Sequence, residues 1–136
     1  MNARELMIGD WVKIIDPKDP IKQISCIDEY LRIVDFWDDE RLIVTSINNV
    51  LPIPLTEEIL LKNGFEEDDY YSRYTLYFDN RRVRSSSIEV VPQDEDWSEV
   101  EMTIRSGMAD ISSIVEYVHE LQHALRICGI EKEITV

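Results

Sequence analysis

The stretch from Asp110 to Gly129, DISSIVEYVHELQHALRICG, decides how the rest of the chain is read. Ile111, Ile114, Val115, Val118, Leu121, Leu125 and Cys128 recur at helical spacing on one face, which predicts a long amphipathic C-terminal helix docked on a core. Ser113 stands three residues before Glu116 in a capping-box arrangement, with Asp110 as the competing N-cap, and Gly129 supplies the stop. The helix is expected to close the core of the protein.

The same segment contains His119-Glu120-Leu121-Gln122-His123, a match to H-E-x-x-H, in which two histidines on one helical face hold zinc and the glutamate acts as general base. At 100° per residue both histidines point away from the centre of the apolar stripe, so they are expected in water. The extended zinc-protease pattern asks for Gly at 126 and His at 129, where this chain has Arg126 and Gly129. A zinc hydrolase built on His119 and His123, with Glu120 as base, is therefore the third of three functional readings. No metal or other cofactor is expected, and four dispersed glycines make no phosphate-cradling loop.

Working outward, 136 residues are one domain's worth, or two small lobes, and 44% hydrophobic content is that of a folded chain. The net charge of −14 repels phosphate, which argues against direct nucleic-acid binding and in favour of basic partners. Cys26 and Cys128 lie far apart within apolar patterns and read as reduced core residues. The polar start MNARELMIGDW and the lack of a long apolar run lead to the expectation of a cytoplasmic protein without a membrane partner.

Residues 1–50 read as an SH3-like β unit, a small barrel or bent sheet with strands at Trp11–Ile15, Ile21–Ile27, Tyr30–Phe36 and Leu42–Ile47. The entry Ile8-Gly9-Asp10-Trp11-Val12-Lys13 resembles the first strand of SH3-like barrels of the KOW type. Residues 51–136 read as an α+β unit packed on it in one compact domain. Pro52 and Pro54 forbid helix before Leu55, after which Thr56 caps a short helix through Asn63. Gly64 then takes the left-handed position and Phe65 folds back on Leu60. An antiparallel hairpin follows, Tyr71–Phe78 and Val83–Val91 about a turn at Asp79-Asn80, with a further strand over Glu99–Ile104 and an edge strand at Glu133–Val136. The fold class is α+β.

Three blocks together resemble a family of small uncharacterised bacterial proteins, often encoded near mobile or phage-like elements. They are Asn2–Leu6 with Ile8–Val12, Pro52–Thr56 with Leu60–Phe65, and Tyr117–Gln122. They come in the family's order and span almost the whole chain. Members usually carry a Tyr-Val-His-Gln-Leu-Gln-Asn-like stretch at Tyr117–His123, so Glu120 and His123 depart from the pattern. The resemblance implies no activity, but it makes Tyr117, His119 and Gln122 candidate binding residues.

Arg82 and Arg84, on one face of a strand within the cluster Arg81-Arg82-Arg84, are further candidates for gripping a phosphate or carboxylate, against the plainer reading as surface charge facing Glu66–Asp69. Trp11, Trp37 and Trp97 are expected in the core rather than in a groove. The leading functional reading is a non-enzymatic protein-interaction module. The runner-up is an acidic inhibitor that imitates nucleic acid, encoded by a mobile element and motivated by the −14 charge.

Overall fold

The computed structural model describes residues 3–15, 21–30, 32–38, 40–80, 83–106 and 109–136. In chain order these form β1 (Trp11–Ile14), β2 (Ile21–Asp28), β3 (Ile33–Asp38), β4 (Arg41–Ser46) and β5 (Val50–Leu51), then α1 (Glu57–Lys62), β6 (Glu66–Asp68), β7 (Arg73–Asn80), β8 (Val83–Pro92), β9 (Val100–Ser106), β10 (Ala109–Ile114) and α2 (Val118–Ile127). The fold is α+β with two antiparallel five-stranded sheets, ordered β4-β3-β2-β1-β5 and β10-β9-β8-β7-β6. They belong to two compact units. One comprises Met1–Pro54 with Tyr117–Ile134, the other Leu55–Glu116 with Thr135–Val136. The C-terminal helix thus sits with the N-terminal strands.

In the first unit, alternation in β1 puts Val12 and Ile14 into a core completed by Leu6, Ile24, Val34, Phe36, Ile47 and Val50. A single 3-10 turn, Ile47–Asn49, links β4 to β5 and is capped by the Ser46 side chain. Among the described residues β4 and β5 do not pair with each other, so the sheet stays open rather than closing into a barrel. Between Ile24 and Cys26 the register with β3 shifts by a bulge, where Ser25 Oγ donates to the Asp35 carbonyl at 2.9 Å. An inserted residue reverses the alternation beyond it. Cys26 consequently faces out, and both cysteines are free, so the expectation of a core thiol fails at that position. Trp37 is also 61% exposed on the outer side of β3 rather than in the core.

In the second unit the short helix forms as its local chemistry requires. Thr56 Oγ1 accepts from the Ile59 N–H at 3.4 Å, and Gly64 adopts φ +83° while the Phe65 N–H reaches back to the Leu60 carbonyl at 3.1 Å. β7 continues through Asn80, which pairs with Val83, so Asn80 belongs to the strand and not to the expected turn; residues 81 and 82 lie outside the described ones. Val100, Met102 and Ile104 face inward from β9.

Two expectations about the C-terminal third are corrected. Asp110 to Ile114 is not helix but β10, paired with β9 from Ala109↔Ser106 to Ile114↔Glu101. Ile111 and Ile114 are exposed there, and Ser113 caps nothing. β-Branched isoleucines about a serine pair suit an edge strand, and the helical spacing from Ile111 to Val118 straddles a boundary at Glu116. Residues 133–136 form no strand. Instead the buried Asn63 side chain takes the place of a strand partner for the tail: Oδ1 accepts from the Thr135 N–H at 2.9 Å and Nδ2 donates to the Thr135 carbonyl at 2.7 Å.

Candidate functional site

The site is built where the turn before β1 meets α2, within the first unit. Gly9, at φ +89°, makes a bend that an L side chain would strain. Asp10 N–H closes the turn on the Met7 carbonyl at 3.1 Å, and Asp10 Oδ2 accepts from the Met7 N–H at 2.7 Å. The bend leaves the Asp10 side chain 0% exposed. A carboxylate removed from water persists only where donors replace its hydration. Two come from one side of α2: His123 Nε2 lies 2.7 Å from Oδ2, and Arg126 Nη1 lies 2.8 Å from Oδ1. Gln122 ties the same turn down, its Oε1 accepting from the Trp11 N–H at 3.0 Å and its Nε2 donating to the Gly9 carbonyl at 3.1 Å.

A carboxylate bound to arginine and to a backbone N–H is an acceptor, so His123 Nε2 must carry the proton of its bond to Asp10. That nitrogen has no lone pair left for a metal. Among the described residues no group of three or more His, Cys, Asp and Glu side chains is placed to hold a metal ion. The helical spacing of H-E-x-x-H is thus realised, but its second histidine is committed to Asp10.

His119 is 5% exposed, which corrects the expectation that both imidazoles stand in water. The apolar stripe does face inward through Val118, Leu121 and Leu125, and the buried arc of the helix extends to His119 and Gln122, with the Met7–Asp10 turn held against Gln122 and His123. The His119 ring stacks on Tyr117, centroids 5.8 Å apart and planes 12° from parallel, and meets His123 edge-on at 5.6 Å. Its Nδ1 is buried without a hydrogen-bond partner. Burial holds the imidazole below its ordinary pKa of 6.5, against the opposing pull of Glu120 and Asp10, so the ring is neutral at pH 7.

The helix start fixes these rings. Glu120 Oε2 accepts from the Tyr117 N–H at 3.1 Å, the carboxylate half of a capping box one turn later than expected. The Val118 N–H donates to the Ile53 carbonyl at 2.9 Å and Tyr117 forms a β-bridge with Pro54. These bonds bring the Pro52–Pro54 segment beside α2. A pocket of about 450 Å³ results, lined by Glu5, Pro52, Tyr117, His119, Glu120 and His123. No family model, curated protein or solved structure matches this chain.

Of the residues singled out in the sequence, Tyr117, His119, Gln122, Glu120 and His123 come together here. Arg82 lies outside the described residues, and Arg84 is placed in β8 by its backbone only. The acidic segment is met by another arginine: Arg73 contacts Asp68 and Glu89, each at 3.0 Å. Sequence reasoning missed Asp10, Glu5 and Pro52 as members of the site. The available signal was an acidic residue directly after a glycine turn and directly before the strand Trp-Val-Lys-Ile.

Proposed function

We propose that the chain is a non-enzymatic protein-interaction module whose recognition site is the pocket of the first unit. The observation that carries this reading is the bond from His123 Nε2 to the buried Asp10. It turns the residues of a would-be catalytic motif into the brace that holds a preformed pocket, and rigid pockets of this size class suit recognition. The strand order β4-β3-β2-β1-β5, with a 3-10 turn between β4 and β5, supports reading residues 1–50 as SH3-like. Ile8–Val12, Pro52–Pro54 and Tyr117–Gln122 are remote in sequence, yet all three contribute to the same site.

The net −14 favours a second reading, an acidic inhibitor that imitates nucleic acid. Affinity purification of the tagged chain from cells that encode it, with and without added duplex DNA, separates the two. The module reading expects one protein retained at near-equal molar amount and not released by DNA. Release of that protein by DNA would establish the mimic, and retention of no protein would overturn both.

A further inference from the structure

The geometry points to the open edge of β4 as the surface through which two copies of this chain pair, antiparallel and two-fold. This surface lies apart from the recognition pocket, and the inference goes beyond the module reading. β4 ends its sheet, and among the described residues no strand lies on its far side. The Ile47 N–H donates to the Arg32 carbonyl at 2.9 Å, and the register with β3 runs on from Ile33↔Ser46 to Asp38↔Arg41. Antiparallel pairs alternate between bonded and non-bonded. Thr45, Ile43 and Arg41 therefore turn their backbone groups to β3, while Ser46, Val44 and Leu42 turn theirs to the open edge.

Sheet edges are ordinarily guarded by brevity, charge, proline or a bulge. β5 and β6 are only two and three residues long, and β10 interleaves its isoleucines with exposed Asp110, Ser112 and Ser113. β4 reads Arg-Leu-Ile-Val-Thr-Ser, without proline or glycine and with its charge at the first residue. On its outer face Leu42 is 49% and Val44 53% exposed, and Trp37, 61% exposed, stands directly opposite Leu42 on β3. Ile43, on the other face, packs against the core.

A second copy answers this edge in one register better than in its neighbours. With Ile43 on the two-fold axis, Leu42 of each copy stands opposite Val44 of the other. Both residues have outward backbone groups, so each such pair exchanges two N–H···O bonds. The pairing also joins Trp37, Leu42 and Val44 of both copies into one apolar strip and sets Arg41 against Thr45, so like charges do not meet. Sliding to the next allowed register either way sets Val44 against Glu40 or Leu42 against Ser46. Six strand residues span about 20 Å, so the contact covers less than the ~800 Å² per partner of a stable dimer. Association is therefore reversible and half complete only at roughly 0.1–1 mM chain. The net charge of −14 on each copy opposes approach, so salt strengthens the pairing.

The test is sedimentation equilibrium of the full chain from about 10 µM to 1 mM, at about 0.05 and 0.5 M NaCl, with amide spectra over the same range. The dimer is expected to form with concentration, more at the higher salt, and to shift the Leu42 and Val44 amide signals. Leu42→Lys is expected to weaken association at least about tenfold while the amide signals of β1 and β2 stay in place. In a Cys26→Ser, Cys128→Ser background, Ile43→Cys is expected to cross-link to a dimer under diamide, because the non-bonded pair on the axis lies within disulfide reach, and Thr45→Cys is not. A monomer at 1 mM, a dimer weakened by salt, one unchanged by Leu42→Lys, or equal cross-linking at both positions would overturn the proposal. A monomer whose purified protein partner is lost in Leu42→Lys would give the edge to a strand of that partner and overturn the second copy as its occupant.

Discussion

Replacing Asp10 by alanine should destabilise the first unit more than any surface change. The carboxylate is 0% exposed and accepts from the Met7 N–H, His123 and Arg126 at 2.7–2.8 Å. Removing one partner of a buried ionic network costs about 3–5 kcal/mol when the remaining charge stays buried and alone. Here Arg126 is 35% and His123 21% exposed, so both can recover some hydration, while the Met7 N–H loses its acceptor outright. The expected loss is therefore about 2–4 kcal/mol. With a urea dependence of about 1–3 kcal/mol per molar, the midpoint should fall by roughly 1–2 M. Urea unfolding followed by tryptophan fluorescence, to which Trp11 and Trp37 of this unit contribute beside Trp97 of the other, reads the loss in a Trp97→Phe background, with Glu29→Ala as the comparison. Glu29 pairs with Arg4 only at the exposed surface, and its loss should change stability by less than about 0.5 kcal/mol. A loss below about 1 kcal/mol for Asp10→Ala would refute the claim that this carboxylate holds the turn to α2.

Asn63→Ala should cost the second unit about 2–3 kcal/mol, since the buried amide bonds the Thr135 N–H and carbonyl and the Ile59 carbonyl; hydrogen exchange at Thr135 should rise in parallel, and protection unchanged from the wild type would contradict the assignment. His119 fixes a pH dependence. Because its folded pKa lies below the ordinary 6.5, the unfolded chain binds more protons just under that pH, so stability is fully present above about 6.5 and declines as the pH falls below it, by at most about 1.4 kcal/mol per pH unit. Thermal unfolding across that range should show the decline in the wild type and a shallower one in His119→Gln, and identical slopes would refute it.

How much of this was legible depended on whether the governing contacts were local. Thr56, Gly64 and Phe65 act within one or two turns of α1, and the structure forms that helix as their spacing requires. Alternation likewise located β1, β2 and β9. The stretch from Ile111 to Val118 misled because its 3-4 apolar spacing fits a helix while the pairing of Ile111–Ile114 with β9, which decides the matter, is a property of another strand. The bulge at Ser25 turned Cys26 outward for the same reason, since the bulge exists only relative to β3. In the site, the motif on α2 was visible, but its meaning was not. Asp10 reaches His123 and Arg126 across more than a hundred residues, and helical geometry alone left His123 facing solvent where the Met7–Asp10 turn in fact meets it.

The bracing role of α2 rests on the state of two imidazoles. Long-range ¹H–¹⁵N spectra of the histidine rings at pH 7.5, before and after one equivalent of Zn²⁺, should show His123 with a proton on Nε2 hydrogen-bonded to Asp10, His119 neutral, and neither changed by the metal. Loss of the His123 Nε2 proton with metal-bound shifts on both rings would contradict it.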